Sequence, residues 1–66
     1  MFVYKGIKMR EVYEIVFLST RSRIELVKEK SGLFGVIKVV DGKDYPLYAN
    51  KELEPVQKYY NKKIGA

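Results

Sequence analysis

Residues 34–49 (FGVIKVVDGKDYPLYA) contain two runs of strand-forming residues separated by Asp41-Gly42, and this stretch decides the fold. An Asp-Gly pair between such runs predicts a β-hairpin with a type I′ turn. That turn defines four cross-strand pairs: Val40 with Lys43, Lys38 with Tyr45, Val36 with Leu47, and Phe34 with Ala49. Because Pro46 has no backbone N–H to donate to a ladder, residues 44–49 are expected to form an edge strand.

Two segments before the hairpin also have the pattern of strands. Residues 12–18 (VYEIVFL) are apolar on both faces apart from Glu14, which is typical of a central strand covered on both sides. The alternative is that one face is an exposed binding platform. Residues 2–8 (FVYKGIK) alternate roughly and are rich in β-formers, with Gly6 as a bulge position.

Residues 19–32 fit two structures. The alternation around Leu26 suits a strand, whereas Ser22 followed by Glu25 is a capping box, typical of the start of a helix. We favour the strand, because Leu26 fits a period of two better than it fits a helical stripe. A helix here would change the element order to ββαββα.

The C-terminal residues predict a helix. Pro55 suits the first helical turn, Lys62 and Lys63 would lie at the negative end of the helix dipole, and Gly65 can cap it. Apolar residues at helical spacing form the stripe expected to face the sheet: Leu53, Val56 and Tyr60, with Tyr59 and Ile64 beside them.

Together these elements predict one small domain over residues 1–66, mainly β with one C-terminal helix (α+β). The expected architecture is a small antiparallel SH3-like or OB-like curled sheet or barrel of four to five strands. A chain of 66 residues buries only about 60% of its unfolded surface, and no cysteine is present to form a disulfide. Stability must therefore come from the apolar residues or from a partner.

The composition removes most catalytic chemistry. The chain has no histidine and no cysteine, so it lacks a side chain that ordinarily titrates near neutral pH, a thiolate nucleophile and a cysteine-based soft metal site. The serines have no histidine to activate them, the carboxylates nearly all lie close to a lysine or arginine, and no P-loop pattern surrounds the glycines. We therefore expect a protein that is not an enzyme and that uses no metal or cofactor.

The charge points to an anionic partner. With 13 basic against 8 acidic residues the net charge is +5, and the excess is spread along the chain rather than held in a tail. A small basic domain suits nucleic acid or another polyanion, and the alternative is a charge that serves solubility alone. Abundant lysine with few Asn and Gln residues also resembles the composition of thermophile proteins.

No membrane partner or export is expected from the sequence. The longest purely apolar run is Ile15-Val16-Phe17-Leu18, whereas a membrane-spanning helix needs about 20 residues. The first residues lack the continuous apolar core and the cleavage site of a secretory signal. These observations predict a cytoplasmic protein.

The first functional hypothesis is a small non-enzymatic protein that binds DNA or RNA mostly through backbone phosphates, in a chromatin, ribosome-associated or regulatory role. The residues expected to bind are six basic side chains and one aromatic: Lys8, Arg10, Arg21, Arg23, Lys38, Lys43 and Tyr45. Tyr45 opposite Lys38 would give the basic–aromatic pair that base stacking needs. The alternative for this pair is that Tyr45 packs in the core while Lys38 extends past it.

The second hypothesis is a protein-interaction module, such as an accessory subunit or a virus-encoded inhibitor. It would bind a protein partner through edge strand 44–49 and exposed tyrosines, or pair with a second copy as a homodimer. An uncovered face on strand 12–18 would favour this hypothesis.

The order of hairpin, three-stranded sheet and C-terminal helix, at this length and charge, resembles the small basic chromatin proteins of thermophilic archaea. Residues 2–6 (FVYKG) are similar to the first strand and turn of that family, and residues 49–53 (ANKEL) are similar to its entry into the helix. The tryptophan-containing strand of the family has no counterpart here, so no functional residue is carried over. The resemblance is one of architecture and does not by itself imply a function.

Overall fold

The computed structural model describes residues 10–65, in which four strands precede one helix. The elements are β1 (Arg10–Phe17), β2 (Ser22–Glu29), β3 (Phe34–Val40), β4 (Lys43–Asn50) and α1 (Leu53–Ile64). Each strand pairs antiparallel with its neighbour in sequence, giving the order β1-β2-β3-β4. The predicted class, mostly β with one C-terminal helix, is confirmed. In the described residues β1 and β4 do not pair, so this sheet is open, and the strand predicted at 2–8 lies outside them.

The β3–β4 turn has the backbone that the Asp-Gly pair predicts. Asp41 has a φ of 51° and Gly42 a φ of 81°, both in the left-handed region that Asp tolerates and Gly adopts freely. The pairs beside the turn are those predicted: Val40 with Lys43 and Lys38 with Tyr45. The Asp41 N–H also donates to the carbonyl oxygen of Arg21 at 2.8 Å, which ties the turn to the β1–β2 loop.

Past Pro46 the predicted register is wrong by one residue. The affected pairs are Val36 with Tyr48 instead of Leu47, and Phe34 with Asn50 instead of Ala49. Pro46 has no N–H to continue the ladder, and the strand accommodates Leu47 as the extra residue of a β-bulge. β4 is an edge strand of the described sheet, as predicted.

The segment that fitted two structures is a strand, so the helical alternative and the ββαββα order are wrong. The four central residues of β2, 24–27, are all buried because β2 lies between β1 and β3. The expectation that strand 12–18 is central is also wrong for the described sheet. β1 forms its other edge, pairs there with β2 alone, and leaves most of its apolar side chains exposed.

Helix α1 covers one face of the sheet, which we call the helix side. Its core joins buried residues of β2, β3 and α1: Ile24, Leu26, Val36, Val56 and Tyr60. Val56 and Tyr60 are four positions apart, so both face the sheet from one side of the helix. Buried residues on the opposite side form a second cluster: Val27, Ile37 and Val39.

The ends of α1 follow the predicted pattern. Glu54 lies in the first turn, and Lys62 and Lys63 lie in the last, where each charge offsets the helix dipole. Gly65 follows in the left-handed conformation (φ 79°), and its N–H donates to carbonyl oxygens of the last turn. Leu53 is exposed, so the buried stripe begins about one turn later than predicted. No helix within residues 10–65 combines the length and the apolar character needed to cross a membrane.

Candidate nucleic-acid interface

Lys38, Lys43 and Tyr45 lie together on the helix side of the β3–β4 hairpin. Lys38 is directly opposite Tyr45 in the ladder, and Lys43 is two residues from Tyr45 on the same strand. Opposed residues, and residues two apart, share one face of a sheet. Val36, two residues before Lys38, identifies that face, because it belongs to the core under α1. Tyr45 keeps 50% of its surface exposed, so it does not pack in the core.

A second aromatic group continues this face toward the helix. Tyr48 lies on the same side of β4 as Tyr45, and its ring stacks on Tyr59 of α1 with centroids 5.0 Å apart and planes 12° apart. The Lys63 Nζ lies 6.0 Å from the centre of the Tyr59 ring, within the range of cation–π attraction. Tyr59, Lys62 and Lys63 line a surface depression of about 280 Å³.

These side chains define what we call the basic–aromatic surface: Lys38, Lys43, Tyr45, Tyr48, Tyr59, Lys62 and Lys63. It combines four ammonium groups with three tyrosine rings on neighbouring parts of β3, β4 and α1. Ammonium groups attract phosphates, and an exposed ring beside them offers a face on which a base can stack. The arrangement can therefore hold a sugar-phosphate backbone and an unpaired base at the same time.

Acidic side chains are kept away from this surface on the strands that the structure describes. On the helix side of β3 and β4 the alternation places no carboxylate, because Asp44 falls on the opposite side beside Val39. The helix-side carboxylates of the sheet are Glu11 and Glu14 on β1. Three strand spacings separate β1 from β4, or about 14 Å. On the helix side, the described sheet thus carries lysines on β3 and β4 and carboxylates on β1, with Lys28 of β2 opposite Glu11.

Lys62 and Lys63 also decide the sign of the potential at the end of α1. The last turn of a helix carries about half a negative charge on its carbonyl groups. Two ammonium groups in that turn outweigh it. An anion is therefore attracted to this end of the helix rather than repelled.

Arg21 and Arg23, both expected to bind nucleic acid, lie apart from this surface and from each other. β2 begins at Ser22, so Arg21 is in the preceding loop, where its Nε lies 3.7 Å from Asp41 Oδ1 and both side chains are largely exposed. Arg23 lies on the side opposite the helix, and its Nε donates a 2.6 Å hydrogen bond to Oε2 of Glu25, whose side chain is only 3% exposed. Arg23 therefore compensates the charge of a buried carboxylate, which needs a charged partner.

The remaining predicted residues lie elsewhere, and four members of the surface were missed: Tyr48, Tyr59, Lys62 and Lys63. Lys8 is outside the described residues, and Arg10 begins β1 at the edge farthest from β4. Sequence reasoning assigned Tyr59 to the margin of the apolar stripe, and Lys62 and Lys63 to the helix dipole. The signal that could have found Tyr59 and Lys63 is their i, i+4 spacing, which makes them neighbours on a helix surface.

Comparisons with known proteins do not identify a function for this chain. The family resemblance noted above rests on residues 2–6, which the structure does not describe, and on residues 49–53, which run from the end of β4 to the first residue of α1. No protein-family model matches the chain, and searches of curated proteins and of solved structures found no match.

Proposed function

We propose that this protein is a small, non-enzymatic nucleic-acid-binding protein that contacts its partner through the basic–aromatic surface. The observation that carries the proposal is the position of Tyr45, half exposed and flanked on its own face by Lys38 and Lys43. Recognition would be mostly of backbone phosphates, with Tyr45 stacking on bases that the partner leaves unpaired.

The distribution of charge supports binding over solubility alone. Charges that only keep a protein soluble do not need to be arranged with basic residues in one region and acidic residues in another. Here four lysines lie on β3, on β4 and at the end of α1, while the helix-side carboxylates of the sheet are on β1, where Lys28 of β2 lies opposite Glu11. A patch of one sign steers an oppositely charged partner and holds it in one orientation.

The four lysines set the size of the expected salt effect. If each neutralises one phosphate, the slope of log K against log salt concentration is about −3.6 for duplex DNA and about −2.8 for a single strand. Raising the salt concentration from 50 to 200 mM would then weaken binding by roughly 50- to 150-fold. Removal of two of the four charges should halve the slope.

The test is fluorescence anisotropy with labelled duplex DNA, single-stranded DNA and structured RNA, titrated at low and moderate salt. The test variant is Lys38→Gln with Lys43→Gln. The matched control is Lys30→Gln with Lys51→Gln, which removes the same charge from the opposite end of the sheet, in the β2–β3 and β4–α1 connections.

We expect the test variant to bind weakly with half the salt slope, and the control to bind almost like the unmodified protein. Equal losses in both variants would mean that net charge alone drives binding, and would remove this surface from the proposal. Absence of binding to all three probes at low salt would overturn the function itself.

Two further expectations belong to this proposal. A curled SH3-like or OB-like sheet would suit it, because small sheets of that kind bind nucleic-acid strands on one face. Since β1 and β4 do not meet within residues 10–65, that closure rests on the sequence argument alone. The compartment we assign is the cytoplasm, where such a partner is available.

A protein-interaction role has a weaker basis at the edge where the sequence placed it. β4 carries Lys43, Asp44 and Pro46, and charged residues and proline hinder the addition of another strand. The uncovered strand that would favour such a role lies at the other edge of the sheet, on β1.

A further inference from the structure

The three tyrosines of the basic–aromatic surface differ in whether their rings already have a partner. The rings of Tyr48 and Tyr59 stack on each other, with centroids 5.0 Å apart. Tyr45 stacks on no ring within residues 10–65, although half of its surface is exposed. Proteins that bind single strands combine basic side chains with rings on which bases stack. Tyr45 therefore offers a free ring face beside Lys38 and Lys43.

The depression at the end of α1 has the same composition. Within the described residues its lining is Tyr59, Lys62 and Lys63, and its volume of about 280 Å³ is close to the lower limit for small-molecule sites. Tyr48 does not belong to this lining, so the depression meets the part of the Tyr59 ring that Tyr48 leaves uncovered. A ring with two ammonium groups thus occurs twice on the surface, once on the hairpin and once on the helix.

Neither of these two groups contains a carboxylate. The sequence has no acidic residue after Glu54, so the rest of α1 carries only positive charge. A further pair of rings, Tyr13 with Phe34, lies next to a different charge pattern. Its neighbouring cation, Lys28, is directly opposite Glu11, whose carboxylate would repel a phosphate. The hairpin and the end of the helix are therefore the two places where a ring and uncompensated lysines coincide.

We propose that the basic–aromatic surface contains two nucleotide subsites, and that its partner is a single strand of DNA or RNA that spans both. In the first subsite a base stacks on Tyr45, and the two lysines of the hairpin hold the adjacent phosphates. In the second a base enters the depression against Tyr59, and the two lysines of the last helical turn hold the phosphates. This inference rests on the proposed function, because it names the form of nucleic acid that the same surface would select.

Stacking and phosphate contact predict opposite preferences between a single strand and a duplex. A base inside a duplex has both faces covered by neighbouring base pairs, about 3.4 Å away, so a duplex offers these rings no free base. A duplex nevertheless carries one charge per about 1.7 Å of its axis, twice the density of either strand, so contact with phosphates alone favours it. A single strand that binds more tightly than a duplex of the same length must therefore gain affinity from its bases.

The test is fluorescence anisotropy of the full chain at one low salt concentration with labelled probes of about 12 nucleotides. The probes are an oligothymidylate strand, the same sugar-phosphate strand without bases, and the duplex of oligothymidylate with its complement. Stacking contributes roughly 5- to 150-fold per base. We expect the oligothymidylate strand to bind at least tenfold more tightly than the abasic strand, and more tightly than the duplex. An oligouridylate strand titrated in parallel identifies which sugar is preferred.

Two leucine variants test the two rings separately. Tyr45→Leu and Tyr59→Leu each remove one ring and keep an apolar side chain in its place. We expect each variant to weaken binding of the oligothymidylate strand at least fivefold and to leave binding of the abasic strand unchanged. Because the abasic strand is held by the lysines, its unchanged affinity also shows that each variant is folded.

Phenylalanine variants and a third leucine variant are the controls. Tyr45→Phe and Tyr59→Phe keep the ring and should bind like the unmodified protein, which separates stacking from a role of the hydroxyl group. Tyr13→Leu removes a ring of similar exposure, 45%, from the pair that lies near Glu11, and should also bind normally.

The results that would overturn the inference differ from those that would overturn the proposed function. Equal affinity for the oligothymidylate and abasic strands would remove both subsites and leave the proposed function standing, because phosphates alone would then be bound. A loss in only one of the two leucine variants, Tyr45→Leu or Tyr59→Leu, would refute the pair of subsites. Failure of every probe to bind at low salt would overturn the proposed function and this inference with it.

Discussion

Replacing Tyr60 with phenylalanine should stabilise this protein, although most substitutions in a core destabilise it. The Tyr60 side chain is fully buried between α1 and the sheet, and its hydroxyl has no hydrogen-bond partner in the described part of the chain. The ring packs in the helix-side core with Leu26 and Val56. Tyr60→Phe keeps that ring and removes only the hydroxyl group.

The magnitude follows from the cost of a buried polar group without a partner. That cost is about 1–3 kcal/mol, and replacing the group with an apolar one of similar shape recovers it. Taking the lower end, we expect Tyr60→Phe to raise the free energy of unfolding by about 1 kcal/mol. For a domain of this size that is an increase in Tm of about 4–8 °C.

High pH should widen the difference in stability between Tyr60→Phe and the unmodified protein. Burial raises the pKa of Tyr60 above its ordinary value of 10.0, and the negative charge of Glu14 raises it further. Above pH 10 the unfolded chain loses this proton while the folded chain keeps it, so the free energy of unfolding falls as pH rises. Tyr60→Phe has no such proton, so its advantage should be greater at pH 11 than at pH 7.

The assay is urea unfolding followed by circular dichroism at pH 7, repeated toward pH 11. Tyr45→Phe is the matched control, because its ring is half exposed and the same change there should stay within about 0.5 kcal/mol. A loss of stability in Tyr60→Phe would refute the reasoning, because it would show that the hydroxyl has a favourable partner. Glu14→Gln removes one of the two causes of the raised pKa and should shrink the difference seen at high pH.

Three other substitutions test the fold, each by urea unfolding. Leu26→Ala should lower the free energy of unfolding by about 2–5 kcal/mol, which is comparable with the roughly 3–5 kcal/mol that a core of this size supplies. The variant should therefore be largely unfolded, and a native-like circular dichroism spectrum would contradict this expectation. Asp41→Ala should lower the free energy of unfolding by about 1–2 kcal/mol, because residue 41 has a φ of 51°, whereas Asp41→Gly should lower it much less. Equal losses in the two variants would show that the turn is not strained. Arg23→Ala should cost about 1.5–3 kcal/mol of stability, because it removes the hydrogen bond to the buried Glu25 carboxylate. Arg21→Ala should cost less than about 1 kcal/mol, because the ion pair of Arg21 with Asp41 is exposed. The reverse order would mean that the buried carboxylate does not need Arg23.

The parts of the fold that could be predicted are those decided by neighbouring residues. Asp41-Gly42 selects its turn through the backbone freedom of two residues, and that turn sets the adjacent pairs. The bulge at Leu47 was not predicted because the missing N–H of Pro46 is compatible with a regular edge strand as well as with a bulge, and the sequence pattern does not distinguish the two. The position of β1 was missed because apolar residues on both faces suit either a strand inside a sheet or one that contacts another chain.

The candidate site could be predicted only where one hairpin builds it. Lys38, Lys43 and Tyr45 share a face because of the turn, so local reasoning was enough to group them. The contribution of Tyr59 depends on where α1 crosses the sheet, which is a matter of tertiary packing. Arg21 and Arg23 are separated because β2 begins at Ser22, and the residue at which a strand begins is difficult to predict from a sequence pattern.

The sequential strand order has a consequence for how quickly this chain folds. The widest pair in the described sheet, Arg10 with Glu29, joins residues only 19 positions apart, so each hairpin closes a short loop at small entropic cost. Sheets built from strands that are neighbours in sequence fold faster than sheets built from distant strands, which take up to seconds. Each hairpin can form as soon as its second strand leaves the ribosome, and the helix can dock last. A nascent chain with so apolar a β1 segment is thereby unfolded only briefly.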